Sequence, residues 1–330
     1  MTKLLIKFNA YNFLFKHKTK LEKLKLKIKI VFSVFIFIFI SNLIYIRKKN
    51  KIKVCLCAIG KNENKYILEF VEYYKKYNID KIFLYDNNDI NGEKFTDILS
   101  DYIKLNFVQI IPHRGEKKIQ LRMYKDCYKN NYKIYDWLIF YDIDEFIHLR
   151  NYHNIKDFLN QKKFNKCQSI YLNWIIHTDN NLIYYDNRPL NKRFTEIVKN
   201  PTFCRGKTII RGGIENVKFI STHTLVENIE RCNGFGKIFK IKNKRINCKV
   251  PDYKYFYIDH YYSKSTEEFI NKINKGDGIF SESIQNKYKR IYFYFRFNKI
   301  TMDKINFIIK KVPLNSSLLM NKIKKIKISY

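Results

Sequence analysis

The sequence has few of the residues that build flexible linkers and none of the patterns that build zinc fingers. Its 330 residues include only 10 glycines and 5 prolines, and they contain no internal repeat and no long flexible linker. The seven cysteines form no Cys-x-x-Cys pair and show no zinc-ligand spacing. These absences argue against a repeat protein or a zinc-binding module and leave one large domain with appendages.

Acidic residues are scarce as well. There are 30 Asp and Glu against 64 Lys and Arg, which gives a formal net charge of +34. A charge of this size can indicate binding to nucleic acid or to an anionic membrane. The excess is concentrated at the ends, because residues 1–53 hold one acidic residue and residues 285–330 hold one. This distribution favours ends that lie near a membrane and predicts no nucleic-acid partner.

The cysteines are odd in number and irregular in spacing. We interpret most of them as small buried hydrophobic side chains. A disulfide among Cys204, Cys232 and Cys248 stays open as an alternative if the domain faces an oxidising compartment.

One long apolar run lies near the N-terminus. Residues 28–46 (IKIVFSVFIFIFISNLIYI) contain Lys29 as their only charge. As a helix this segment would be about 28 Å long, close to the hydrocarbon thickness of a bilayer. Basic residues follow it where a signal peptide would carry a cleavage site of small residues. The sequence therefore predicts a basic tail over 1–27 and a transmembrane anchor over 28–46.

The charges beside this run bear on its orientation. The N-terminal side is the more strongly basic of the two flanks, which favours a cytoplasmic N-terminus. We expect a single-pass membrane protein. In a eukaryote it would be a Golgi protein of type II orientation, and in a bacterium it would lie at the cytoplasmic membrane with the domain inside.

Apolar β-rich runs alternate with helical periodicity from residue 51 onward. Strands are predicted over 51–59, 81–85, 107–111, 137–141, 169–176 and 255–262. Helices are predicted over 66–77, 93–102, 116–131, 265–275 and the last 45 residues, and a turn region over 205–213. The alternation predicts an α/β fold with a mostly parallel central sheet. We expect a main domain over 51–280 and a basic, aromatic helical extension over 281–330.

Two carboxylates directly follow the fourth predicted strand. Asp142 and Asp144 come after the apolar run WLIFY, and Asp86 ends the second strand. Ligands of open parallel sheets bind at the carboxyl ends of the strands. Paired carboxylates there can hold Mg²⁺ or Mn²⁺, which neutralises charge on a leaving diphosphate. The alternative interpretation of this pair is a solvated turn.

Four sequence blocks, in this order, resemble a known enzyme family. They are Lys61-Asn62-Glu63, IFLYDNND (82–89), YDWLIFYDIDEFIHL (135–149), and Ile258 to Phe269 with Lys272 and Gly276. Together they resemble the family-92-type glycosyltransferases, which are related to the family-2 enzymes. The resemblance covers about residues 51–280. It implies a GT-A-like nucleotide-binding sandwich in which the Asp-x-Asp motif binds a metal and a nucleotide sugar.

The resemblance also implies roles for single residues. Asp142 and Asp144 would hold the metal and the donor, and His260 would be a third metal ligand or a diphosphate contact. A structural role for His260 is the alternative. The other implied residues of the nucleotide-sugar site are Asn62, Glu63, Asp86 and Lys264, with Arg114 and Gln120 as further candidates.

The catalytic base is harder to assign. The resemblance implies an inverting reaction, which needs a carboxylate within hydrogen-bond reach of the acceptor hydroxyl. Asp179 is the predicted base, and Asp186 and Glu196 are the alternatives. Trp174 is a candidate for stacking on a sugar or for packing in the core. His223 is a further candidate for the acceptor side.

The sequence thus predicts a membrane-bound, metal-dependent glycosyltransferase, a hexosyltransferase that uses a UDP-sugar and Mn²⁺ or Mg²⁺. Its expected partners are the nucleotide-sugar donor, a glycan acceptor on protein or lipid, and the membrane. Two alternatives stay open. One is a metal-dependent phosphoryl-transfer enzyme that uses the same carboxylates, and the other is an inactive transferase fold. The presence of Asp142, Asp144 and His260 favours an active enzyme.

Overall fold

The structure is a computed structural model. It describes residues 19–49, 52–198, 205–223, 225–239, 241–242, 245–246, 255–274, 283–312 and 315–327. The chain divides into two compact units, Met1–Lys51 and Ile52–Tyr330, and each is described by itself.

The first unit contains one long helix, α1 (Lys20–Lys49). Its start is capped because the backbone N–H and the hydroxyl of Thr19 both donate to the Glu22 carboxylate, at 2.8 and 2.9 Å. All ten side chains from Val31 to Ile40 are exposed although nine of them are apolar. Within the described residues, no helix combines the length and the apolar character needed to cross a bilayer. The predicted transmembrane helix over 28–46 is therefore not supported, and its side chains from 42 onward lie outside the described residues.

The second unit is built on a nine-stranded sheet. The strands of the described chain are β1 (Val54–Gly60), β2 (Lys81–Asp86), β3 (Val108–Pro112), β4 (Trp137–Phe140), β5 (Glu145–Leu149), β6 (Ser169–Ile176), β7 (Gly206–Arg211), β8 (Lys218–Ser221), β9 (Leu225–Glu227), β10 (Arg231–Asn233), β11 (Ile241–Lys242), β12 (Arg245–Ile246) and β13 (Phe256–His260). The order in the large sheet is β3-β2-β1-β4-β7-β6-β13-β5, and β10 also pairs with β6. Strands β8 and β9 form one separate two-stranded sheet, and β11 and β12 form another.

The helices of this unit lie between and after the strands. They are α2 (Asn64–Lys76), α3 (Thr96–Lys104), α4 (Gln120–Asn131), α5 (Ile155–Leu159), α6 (Leu190–Arg193), α7 (Thr266–Asn274), α8 (Ile284–Phe297), α9 (Met302–Lys311) and α10 (Ser316–Lys327). The α/β class is thus confirmed, and the predicted helices are present with small shifts at their ends.

The sheet is mixed, but it is mostly parallel as predicted, because five of its eight strand pairs are parallel and three are antiparallel. Strands β3, β2, β1 and β4 are parallel neighbours, as the βαβ alternation predicts. From β7 onward antiparallel pairs enter, since β7 runs against both β4 and β6 and β5 runs against β13. Strand β5 has its direction because the chain turns back directly after the Asp-x-Asp motif instead of crossing over through a helix.

Strand β7 replaces the predicted turn region over 205–213. Its glycine indicates close approach rather than a turn, because a Cβ on Gly206 would lie 1.9 Å from the carbonyl oxygen of Leu172 on β6. Glycine is the one residue type that lets the two backbones come together here. Gly212 and Gly213 do lie in a turn, directly after the strand.

The sheet separates two hydrophobic clusters. Strand β1 contributes to both because successive side chains point to opposite faces. Val54, Leu56 and Ala58 pack in the cluster that contains α2 and α3, while Cys55 and Cys57 pack in the cluster that contains α4. Each large side chain buried in this way contributes roughly 1.5–3 kcal/mol. The two layers hold the strand ends at a fixed edge, which is where the candidate site lies.

The C-terminal helices form a third cluster with α7. Phe269 and Ile273 of α7 pack with Ile291 and Tyr294 of α8 and with Ile308 of α9. Within the described residues after 281, the chain forms helices α8, α9 and α10. Through this cluster the helices that follow the sheet rest against the segment that carries His260 and Lys264.

The cysteines pair differently from the expectation. Cys57 of β1 bonds to Cys127 of α4, and Cys167 bonds to Cys232 of β10. Cys55 is buried and free. The predicted alternative of a pair among Cys204, Cys232 and Cys248 is wrong for Cys232, and the other two residues lie outside the described part of the chain.

Candidate active site

Polar side chains from several strands meet at one edge of the sheet. Strands β1 and β2 end there in register, with Gly60 opposite Asp86. Asp142 follows the parallel neighbour β4. Because β7 runs the other way, its first residues, including Lys207, come to the same edge. His260 ends β13, which is parallel to β6.

Asp142 is held by three donors of the chain. The Lys207 ammonium donates to its Oδ2 at 2.9 Å, and Gln120 Nε2 and the Tyr124 hydroxyl donate to its Oδ1 at 2.6 and 2.9 Å. Burial raises the pKa of Asp142, but the Lys207 charge and these hydrogen bonds outweigh it and lower the pKa below its ordinary value. The carboxylate is therefore ionised and fixed in direction.

Asp144 is buried and pairs with a different lysine. The Lys272 ammonium on α7 donates to its Oδ2 at 2.6 Å, and His260 Nε2 lies 3.6 Å from its Oδ1. Burial raises the pKa of Asp144, but Lys272 and His260 lower it well below its usual range. The two carboxylates of the motif thus have separate cationic partners, 65 and 128 residues away in sequence.

Glu145 stabilises the Asp-x-Asp motif through its buried carboxylate. It is fully buried, its Oε2 accepts from the Asp142 backbone N–H at 3.0 Å, and Lys207 Nζ lies 3.6 Å from the same oxygen. Burial raises the pKa of Glu145 well above its ordinary value, against the opposing charge of Lys207. Burial lowers the pKa of Lys207, but Asp142 and Glu145 raise it well above its usual range, so Lys207 stays charged.

The sequence alone does not identify Lys207 and Lys272 as site residues. Lys207 lies in the region that was interpreted as a turn, and its burial follows from strand β7. Lys272 was noticed only as part of the family block. Charge composition gave no signal for either residue in a chain with 64 Lys and Arg.

Three aromatic rings with unpaired nitrogens lie beside the carboxylates. The Trp174 ring centre is 4.4 Å from that of His260 and 5.1 Å from that of His223. In the described part of the chain, Trp174 Nε1, His223 Nδ1 and His260 Nδ1 have no hydrogen-bond partner. Burial lowers the pKa of His260, with Asp144 opposing it, and burial lowers the pKa of His223 to about 3. Both imidazoles are therefore neutral near pH 7.

Asp86 anchors the loop between β2 and α3. Arg114 Nη1 donates to its Oδ2 at 2.6 Å, and Asn88 donates to its Oδ1 from both backbone and side chain, at 3.0 and 2.7 Å. Asn88 Oδ1 in turn accepts from the Asn62 backbone N–H at 2.6 Å. The structure thus brings Asn62, Asp86 and Arg114 together, as the predicted nucleotide site requires.

Glu63 and Lys264 meet from opposite parts of the chain. Their carboxylate and ammonium are 3.4 Å apart, and the ammonium lies 3.4 Å from the ring centre of Tyr66. Lys264 has a φ of 51°, an uncommon value for a residue with a side chain. Such backbone values cluster at functional sites, where surrounding contacts hold them in place.

The three candidate bases have different surroundings. Asp179 is buried, with its Oδ2 engaged by the Lys304 ammonium at 2.6 Å and by the Tyr294 hydroxyl. Asp186 accepts a forked interaction from Arg188. Glu196 is exposed, and its backbone carbonyl accepts from Thr178 just after β6. Because Lys304 and Tyr294 enclose its carboxylate, Asp179 is poorly placed to reach an acceptor hydroxyl.

The predicted metal ligands do not form a metal site in this arrangement. Among the residues with described side chains, no three His, Cys, Asp or Glu groups lie close enough together to hold a metal ion. The Oδ2 atoms of Asp142 and Asp144 instead accept hydrogen bonds from Lys207 and Lys272. The cation at Asp142, Asp144 and His260 therefore stays a prediction.

The sequence matches the model of a known protein family. The family model of "Glycosyltransferase family 92" matches residues 50–292. No curated protein sequence matches the chain.

Solved structures of S. aureus TarS are similar at low identity. The crystal structure of TarS is 12% identical, over 84% of this chain and 54% of that one, with a TM-score of 0.31. The chain thus spans about half of that protein. TarS 1-349 in complex with UDP is 13% identical, over 74% of this chain and 71% of that one, with a TM-score of 0.34. For the complex with UDP-GlcNAc the values are 13%, 83%, 83% and 0.33. TM-scores this low carry no conclusion about the ligand of this chain.

Proposed function

Because the chain belongs to glycosyltransferase family 92, we propose that it transfers a sugar from a UDP-sugar to a hydroxyl of a glycan acceptor. Family membership confirms the resemblance that the four sequence blocks show, and it makes the chain a glycosyltransferase. The donor, the acceptor and the stereochemistry are parts of the proposal. The observation that carries it is the meeting of two ionised carboxylates with lysines at the carboxyl edge of the sheet, where Asp142 pairs with Lys207 and Asp144 pairs with Lys272.

The residues at this edge suit the two halves of a nucleotide sugar. Carboxylates such as those of Asp86 and Asp144 can accept hydrogen bonds from ribose and sugar hydroxyls. Basic side chains at this edge can offset the negative charge of a diphosphate. The neutral rings of Trp174 and His223 add apolar surface and nitrogen atoms that can bond to hydroxyls.

The proposed reaction inverts the configuration of the donor sugar. The acceptor oxygen attacks the anomeric carbon and forms the glycosidic bond. The bond from that carbon to the β-phosphate oxygen breaks, and the nucleoside diphosphate leaves with the electron pair. The acceptor proton passes to a carboxylate base. We assign this role to Glu196, because its carboxylate is exposed whereas that of Asp179 is enclosed.

Turnover by the purified full-length chain tests the proposal. Hydrolysis and transfer would be measured for a panel of nucleotide sugars, once with Mn²⁺ and once with EDTA. We expect turnover of a UDP-sugar, and a loss of about 10²-fold in kcat for Asp144→Asn. Asp101→Asn, which changes an exposed carboxylate on α3, is the matched control. Loss of turnover in EDTA would support the predicted metal dependence.

Two results would reject the proposal. Folded protein that binds no UDP and turns over no donor would favour an inactive fold. Phosphate release from simple phosphoesters, abolished in Asp144→Asn, would favour the phosphoryl-transfer alternative. The assignment of the base is tested separately, since Glu196→Gln should lower kcat for transfer while UDP affinity stays the same.

We further propose that α1 holds the chain at a membrane and that the enzyme domain lies in an oxidising compartment. The exposed apolar side chains of Val31 to Ile40 support the first part. The disulfides Cys57–Cys127 and Cys167–Cys232 support the second, because such bonds are rare in the cytosol. The Golgi lumen would satisfy both conditions. Flotation of the full chain with liposomes tests attachment, and labelling of all four cysteines by a thiol reagent without prior reduction would contradict the compartment.

A further inference from the structure

Three lysines reach the candidate site, and they differ in how far they are enclosed. The Lys207 side chain is 0% exposed, that of Lys264 is 6% exposed, and that of Lys272 is 24% exposed. A group that meets an incoming ligand must be accessible before the ligand arrives. Lys272 satisfies this condition best.

The partners of the three lysines also distinguish Lys272 from the other two. Lys207 lies between Asp142 and Glu145, at 2.9 and 3.6 Å, in a space closed by the protein. The Lys264 ammonium lies against Glu63 and the ring of Tyr66. These two are held in place by the fold. Their roles are to fix the Asp142 carboxylate and the loop of Glu63.

Lys272 has a different situation near the end of α7. Its ammonium pairs with Asp144 Oδ2 at 2.6 Å and lies 5.0 Å from the ring centre of Tyr262. Its stem of four methylenes is flexible. A small rotation can therefore carry the ammonium from the carboxylate to a second anion beside it.

We propose that Lys272 is the residue that binds the diphosphate of the donor. Before a donor binds, Asp144 keeps the ammonium in place, and on donor binding the ammonium bridges Asp144 and a diphosphate oxygen. When the bond to the sugar breaks, the same ammonium offsets the charge that develops on the leaving β-phosphate. This inference rests on the proposed function, because it presupposes a nucleoside diphosphate donor.

Ligands that differ only in phosphate content test this role. Calorimetry with the full-length chain would give the affinities of uridine, UMP and UDP for the unaltered protein, Lys272→Met and Lys272→Arg. Lys272→Met should weaken UDP binding by at least about tenfold and leave uridine binding unchanged. Lys272→Arg keeps the charge and should retain most of the affinity for UDP. Lys76→Met, at an exposed position on α2, removes the same charge away from the site.

Each other result decides against the role. Equal weakening of uridine and UDP in Lys272→Met would show that the lysine only supports the structure. Unchanged UDP affinity would show that it does not touch the diphosphate. If the unaltered chain bound no nucleoside diphosphate with or without Mn²⁺, the proposed function itself would fail. That result is distinct from both of the others.

Discussion

The nitrogens of Trp174, His223 and His260 are buried next to two ionised carboxylates and have no hydrogen-bond partner in the described part of the chain. A buried polar atom without a partner costs about 1–3 kcal/mol. A buried atom of this kind calls for an explanation, such as a bound water, an ion or a functional role. At the residue scale the candidate site is thus marked by unpaired ring nitrogens as well as by charge.

His223 should make the protein sensitive to mild acid. Its pKa is about 3 in the folded chain against 6.5 for an ordinary histidine. Between these values the imidazole binds a proton only when the chain unfolds, so stability falls as the pH drops below about 6.5. We expect a loss of about 2 kcal/mol between pH 7.5 and pH 5 from this residue alone. Urea unfolding at the two pH values measures it.

The variant His223→Gln removes the titrating group and keeps a polar side chain. Its free energy of unfolding should change with pH by about 2 kcal/mol less than that of the unaltered protein. An equal pH dependence in the two proteins would show that His223 is protonated in the folded state.

At the scale of elements, helix α9 fixes the end of strand β6. Lys304 of α9 and Tyr294 of α8 both donate to the buried Asp179, and Asn298 Oδ1 accepts from the Asp179 backbone N–H at 2.6 Å. Asn298 also donates to Ser263, the neighbour of Lys264, at 2.8 Å. The C-terminal helices therefore support the segment that carries Lys264, and Asp179 is the junction.

Breaking this junction should cost considerable stability. Lys304→Met leaves the Asp179 carboxylate buried with one donor fewer and without an opposite charge, which costs about 3–5 kcal/mol. The double variant Asp179→Asn with Lys304→Met removes the unpaired charge and should recover part of that loss. Chemical denaturation of the three proteins measures both changes. A loss below about 1 kcal/mol in Lys304→Met would mean that the ion pair is not formed in solution.

At the scale of the whole molecule, two disulfides tie distant parts of the chain to the sheet. Cys57–Cys127 joins β1 to α4 across 70 residues, and Cys167–Cys232 joins the start of β6 to β10 across 65 residues. A crosslink that closes a loop of this length removes much conformational entropy from the unfolded chain. The unfolded state is therefore destabilised relative to the folded state.

Removal of either disulfide should lower the free energy of unfolding by about 4 kcal/mol. The paired variants Cys57→Ser with Cys127→Ser and Cys167→Ser with Cys232→Ser test this by denaturation without reductant. Cys55→Ala is the matched control, since Cys55 is buried on β1 but free. Equal stability of the paired variants and the control would contradict the crosslinks.

The sequence by itself determined the elements that local patterns encode. Alternating apolar runs predicted β1 to β4 and α2 to α4, because neighbouring residues decide which face of a strand or helix is buried. The motif around Asp142 and Asp144 and the three other sequence blocks indicate the family from the sequence alone. The mixed sheet, by contrast, depends on where β5 and β7 pair. Local composition does not record that choice, so most of the turn region expected over 205–213 is strand β7 and only Gly212 and Gly213 lie in a turn.

The tertiary structure alone decided which side chains complete the site. Lys207 and Lys272 reach Asp142 and Asp144 from 65 and 128 residues away, and no local spacing connects residues so far apart. The enclosure of Asp179 by Lys304 is likewise a contact between the segment that follows β6 and a helix near the C-terminus. A sequence motif identifies the residues within it, such as Asp142 and Asp144. Packing decides which of the chain's many lysines are buried against them, because burial and charge pairing are properties of the folded chain.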